Sequence, residues 1–306
     1  MKNSFLNSEF NLVKFPIFFP LIYGFILYLF PQFETYLLFF TILLLAETHF
    51  GATWPFFLNK ANFDLIKKDK MNLITIPIII VILSVIGFIF VKKLFLLIFF
   101  AANVFHVTRQ SFGVCKLYTN KKIEINFQEI FIYSINILFF IIGYFRFYLP
   151  VINAENLLLL NIVVLSIILI SSIIYIYKFQ LSNIYPFLSG VIIFYPICFV
   201  NNPVHAIIMG VTMHYTQYLY LTHKVHKGRK KNRSTNNSRY SYLGTIIIYS
   251  TLMASFSLFG KSSNEMFNIL IMIPIIGQML HFYLDSQLWK FSNPHNREHV
   301  LNYIKN

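Results

Sequence analysis

The sequence predicts an all-α, polytopic bundle of about ten membrane-spanning helices. Three observations predict it. Charged residues make up only 12% of the 306-residue chain, and the mean hydropathy is +0.64. A soluble domain carries about 25% charged residues, so little of this surface can face water. Apolar stretches of about 20 residues, the length that crosses a bilayer, follow one another along the whole chain. The basic residues then alternate: with the N-terminus inside, 21 of the 25 lysines and arginines fall on one side. That side is cytoplasmic by the positive-inside rule, so the span count is even and both termini are cytoplasmic.

The expected spans are 11–30, 35–57, 73–91, 94–118, 128–149, 157–177, 183–200, 203–223, 241–260 and 266–289. The first contains Pro16 and Pro20 and lacks a small-residue cleavage site, so it reads as a retained span. The third and fourth are separated only by the tight turn Val91-Lys92-Lys93. The seventh carries the weakest signal. The whole, 1–306, reads as a single integral-membrane domain with a basic cytoplasmic loop at about 224–240. That loop is rich in Asn and Ser and can touch anionic headgroups. A bacterial inner membrane is the expected location.

Several function classes are disfavoured at once. The net charge of +14 is mostly loop charge and not a nucleic-acid footprint. Cys115 and Cys198 lie in different spans and form no Cys-x-x-Cys pair, so neither a zinc ribbon nor a disulfide framework is indicated. No lysine lies mid-span to hold retinal as a Schiff base, and no internal repeat stands out. The partners expected are membrane lipids and an apolar small molecule.

Four histidines stand out by depth. His49 lies eleven residues before Lys60, His106 ten before Lys116, His214 ten before Lys224 and His281 nine before Lys290. With those lysines at the interface, a rise of ~1.5 Å per residue puts all four imidazoles ~13–17 Å below it. All four spans run in the same direction, so the depths compare directly. Ionisable groups at such depth usually face the bundle interior. A shared layer of imidazoles predicts a metal or cofactor site.

Polar neighbours support the layer. Gln278, His281 and Asp285 form one stripe on the tenth span. Asp285 can bind the same ion as His281 or orient its ring. Asn103, His106 and Gln110 share a face, and Arg109 lies three residues from His106. A buried Arg109 needs an anion, for which Glu47 and Asp285 are candidates; a higher Arg109 can hold an anionic substrate or headgroup. Thr53 lies four residues from His49 and can hydrogen-bond it, while Glu47 points elsewhere. His223 and His226 have metal-ligand spacing beside Lys224 and Lys227, and so rival His214. His205 reads as structural, and His295 and His299 as solvated. The expected metal ligands are His49, His106, His214 and His281, with His223, His226 and Glu47 behind them. Asp285, Gln278 and Arg109 are the expected catalytic or supporting groups.

Imidazole suits zinc, copper, iron and nickel. A nitrogen-rich site with open positions in an apolar pocket fits non-haem iron. Haem held by paired histidines is the next choice, and another transition metal remains open. A transporter using the His, Asp and Arg layer as a relay is the alternative function.

Three short elements resemble the membrane-embedded Brp/Blh family, which includes bacterial β-carotene-cleaving dioxygenases. They are His49-Phe50-Gly51, Thr222-His223-Lys224-Val225-His226, and His281 with Asp285 followed by Trp289-Lys290. The resemblance implies a histidine-held iron and an oxygenase acting on a long apolar substrate inside the bilayer. It places His223 and His226 in the ligand set, where the depth comparison places His214.

Overall fold

Prolines punctuate the first helices. A computed structural model describes residues 8–152, 154–231, 241–260 and 265–305. A π-turn at Phe10–Lys14 stops before Pro16, and α1 (Phe18–Leu29) follows. Pro31 opens α2 (Pro31–Phe57), where its missing N–H costs no helical bond. The chain continues through α3 (Lys60–Lys68), α4 (Met71–Phe90), α5 (Lys92–Tyr118), α6 (Lys122–Tyr148), α7 (Ala154–Lys178) and α8 (Leu181–Ile192). After it come α9 (Pro203–Lys231), α10 (Tyr242–Phe259), α11 (Asn268–Leu288) and a helical tail over 294–305. Among the described residues there is no strand.

Seven of these helices, α2, α4, α5, α6, α7, α10 and α11, are long and apolar enough to cross a membrane. On α4, Ile78, Ile82, Ile86 and Phe90 make an exposed apolar stripe at i, i+4 spacing. Water would not tolerate so continuous an apolar surface, and lipid does. Three expected spans come out differently. The stretch 11–30 is broken at Pro16 into a turn and a short helix. The stretch 183–200 leaves α-geometry after Ile192 and turns through the 3₁₀ segment Tyr195–Cys198 around Pro196. The stretch 203–223 lies in α9, which is 29 residues long but too polar to count among the seven. The reason is its surroundings: every residue from Met209 to Tyr218 is buried, so protein covers this helix on all sides. α9 also absorbs 224–231 of the expected basic loop, and 232–240 lies outside the described residues.

Contacts divide the chain into two units, each built from two stretches. One comprises 8–38 and 103–217. Its buried polar groups tie helices together. Tyr175 donates to Glu124 Oε1 at 2.5 Å, and Gln128 donates to the Tyr175 hydroxyl at 2.9 Å. Asn136 donates to the Gly190 carbonyl at 3.0 Å. His205 joins α1 and the start of α2 to α9, with Nδ1 2.6 Å from the Tyr23 hydroxyl and Nε2 2.9 Å from Glu34 Oε1. Its structural role is therefore visible in its partners. At Gly210 a side chain has no room, because a Cβ would overlap the Ile193 carbonyl oxygen.

The other unit comprises 39–102 and 218–305. Here α10 packs along the second half of α2. Gly51 lets the Tyr249 ring approach, its nearest carbon 3.0 Å from where a Cβ would sit. Ala52, Tyr218, Tyr242 and Ile246 form a buried cluster, with Trp289 packed against it. The tail is pinned by Arg229, whose guanidinium lies over the Phe56 ring and donates to the carbonyls of His299 and Phe56 at 3.0 and 3.4 Å.

Two glycines make opposite predictions. Gly210→Ala forces backbone apart and should lower the melting temperature in detergent by many degrees. Gly113→Ala, on α5 with nothing within 4 Å of the new Cβ, should leave it unchanged or raise it, since alanine is the better helix former by about 1 kcal/mol.

Candidate metal centre

A widened turn carries α2 into the site. Residues Ile42–Ala46 form a π-turn directly before Glu47. Such expansions loosen the carbonyl ladder and often mark functional sites. The loosened carbonyls find other donors. The Ser250 hydroxyl donates to the Leu43 carbonyl, and the Thr48 hydroxyl bonds back to Leu44 and Leu45 at 2.7 and 3.0 Å. The next residues of α2 then bring His49 and Thr53 into the interior, both 0% exposed.

Three more helices deliver the other imidazoles. His106 comes from α5, His214 from α9 and His281 from α11, and all three are buried. Threonines on these helices satisfy themselves locally: Thr108 bonds to the Val104 carbonyl at 2.6 Å and Thr212 to Met209 at 2.6 Å. This back-bonding lets polar residues share a buried helix without competing for the histidines.

The four rings converge. His49 and His281 meet edge to face with centroids 4.3 Å apart, and His106 and His214 meet the same way at 5.2 Å. One nitrogen of each lies within 4.8 Å of the other three. Bonds of about 2.0–2.1 Å to one tetrahedral ion put neighbouring nitrogens about 3.4 Å apart. The buried four-histidine group can hold a metal ion.

Two carboxylates lie in the same interior. Asp285 accepts the Tyr218 hydroxyl on Oδ1 at 2.6 Å, and its Oδ2 stands 3.7 Å from His281 Nε2. Glu47 is 1% exposed; its Oε1 accepts from Gln278 at 3.4 Å, and its Oε2 takes no hydrogen bond among the described residues. Aromatic rings wall the imidazoles, with Phe50 5.0 Å from His281 and Phe282 5.8 Å.

The remaining candidates fall elsewhere. His223 is exposed and His226 half-buried, both beside Tyr242, and neither belongs to the four-histidine group. Their place at the end of α9 is what the adjacent lysines foretold. Arg109 is exposed, so burial opposite Glu47 or Asp285 is corrected: it lies one turn after Phe105, which is also exposed, at the edge of the buried face. Gln217 donates to the Val13 carbonyl at 2.8 Å and serves the N-terminal segment. His295 and His299 are half-buried, their rings 4.4 Å apart, with His295 Nε2 3.1 Å from Asn62 Oδ1. Thr53 does not bond His49 as expected; it lies 2.6 Å from His281 Nδ1 and 2.9 Å from the Tyr218 hydroxyl. Tyr218 is the residue sequence reasoning missed. Its signal was its place four residues from His214, on the same face of α9.

No protein-family model, curated protein or solved structure matches this chain.

A buried carboxylate lacking a cation is costly, and an amide of the same shape keeps the contact with Gln278. Glu47→Gln should therefore melt at or above the wild-type temperature at neutral pH. A drop of several degrees would show that the charge is used.

Proposed function

We propose that the chain is an integral-membrane metalloprotein whose four histidines bind one transition-metal ion. We further read that centre as an iron-dependent oxidoreductase acting on an apolar substrate within the bilayer. The convergence of His49, His106, His214 and His281 carries the first reading. All four are buried, and each offers a ring nitrogen within 4.8 Å of the other three.

The donor set supports iron. Four neutral imidazoles close a tetrahedral shell on zinc but leave two positions on a six-coordinate ion. Ferrous iron, when bound, supplies redox chemistry toward oxygen that side chains lack. The chain's part is to hold the rings, exclude water and balance charge. Asp285 stands beside His281 to offset a divalent ion's charge. Phe50, Phe282 and Tyr218 present apolar surface to the rings, which suits a lipid or isoprenoid more than a polar substrate. The resemblance to the Brp/Blh family points the same way through His49-Phe50-Gly51 and His281 with Asp285. Its third element, with His223 and His226, lies outside the group. Haem fits less well, because a porphyrin between paired imidazoles would have to part rings whose centroids are 4.3 and 5.2 Å apart. The charge split of the loops supports cytoplasmic termini.

Metal content by plasma mass spectrometry, with a visible spectrum, tests the reading on detergent-purified protein. One iron per chain is expected after ferrous reconstitution, with no Soret band. His106→Ala and His281→Ala should each lose it, whereas His223→Ala and His226→Ala should keep it. Folded wild-type protein that takes up no metal would remove the enzyme reading and leave the histidines as a packing network or transport path.

A further inference from the structure

We propose that Thr53 and Tyr218 are positioning residues that fix which nitrogen of His281 binds the ion. The inference rests on the metal reading above. Three short hydrogen bonds run in series. His281 Nδ1 lies 2.6 Å from Thr53 Oγ1, Thr53 Oγ1 lies 2.9 Å from Tyr218 Oη, and Tyr218 Oη donates to Asp285 Oδ1 at 2.6 Å. All four side chains are buried, so water does not stand in for any member.

The chain has one consistent proton order. A carboxylate only accepts, so the tyrosine proton goes to Asp285. Tyr218 Oη is left with lone pairs, and the threonine proton turns to it. The other acceptor within reach of Thr53, Asp285 Oδ1, is farther away at 3.5 Å. Thr53 Oγ1 then has only lone pairs to offer His281. The imidazole must therefore carry its proton on Nδ1 and donate. Its lone pair is confined to Nε2, the nitrogen that stands 3.7 Å from Asp285 Oδ2. A ring protonated on Nε2 would turn its lone pair into the threonine and could not bind an ion.

A ligating histidine ordinarily donates its other N–H to a carboxylate or carbonyl, which sets both tautomer and ring angle. Here Asp285 does so through two hydroxyls supplied by two other helices. The carboxylate's charge thus orients the ring through one oxygen while its second oxygen stays beside the ion-binding nitrogen.

Cobalt(II) is the probe, titrated into the detergent-purified full chain against a competing chelator while its visible d–d bands are read. Thr53→Val should weaken cobalt binding by about 10–100-fold and shift the bands. Thr53→Ser, which restores the hydroxyl, should return both to within about twofold of wild type. Tyr218→Phe should weaken binding by less, since Thr53 can turn to Asp285. A merely structural role would lower the melting temperature of Thr53→Val without moving the bands. If wild type binds cobalt and Thr53→Val binds it equally with the same bands, the chain is overturned and the metal reading stands. Should Thr53→Val fail to fold, unchanged affinity and bands in Tyr218→Phe overturn it instead. If folded wild type binds neither cobalt nor iron, the metal reading falls first.

Discussion

A polar atom buried in an apolar helix bundle must find its partner within the protein, because lipid offers none and water is excluded. Much of this structure follows from that constraint. Thr108 and Thr212 bond to their own helices. Ser250 fills the carbonyl that the π-turn of α2 loosens. Gln217 reaches back to the Val13 carbonyl, and Asn136 holds the Gly190 carbonyl. The threonines are answered within one turn, whereas Ser250, Gln217 and Asn136 bond to carbonyls of distant segments and so tie helices together. The four imidazoles are arranged differently: they are gathered beside one another, and imidazole nitrogen is a ready ligand for a transition metal.

The same constraint explains why the site's helices look unlike the rest. α4 and α7 face outward and are almost purely aliphatic, each with 17% of its most apolar window buried. α9 is wrapped by protein from Met209 to Tyr218 and carries His, Thr, Tyr and Gln there. Low hydropathy on a helix of spanning length is thus a mark of the interior. Asp285 illustrates how the interior is organised: one oxygen takes Tyr218, and the other stands beside His281. Glu47, two residues from His49, accepts from the amide of Gln278.

The candidate site was legible in the sequence to the level of its four histidines. Equal depth on helices of equal direction is a one-dimensional property, and residue counting measures it. Depth also separated His214 from His223 and His226, which the family resemblance favoured. Counting could not say which way a side chain turns. Arg109 shares a helix with His106 yet is exposed. Thr53 lies one turn from His49 yet serves His281.

Composition and spacing by themselves determined that the chain is all-helical and apolar enough for a membrane, and which histidines share a layer. These follow from hydropathy and from the fixed rise of a helix. Only the tertiary structure decided that 11–30 and 183–200 are broken by proline, that α9 lies inside protein, and that Thr53, Tyr218 and Asp285 join His281 in one chain. The proline breaks are local, but the other outcomes depend on rotation about each helix axis and on which helices touch, and both are set by side-chain packing between segments far apart in sequence.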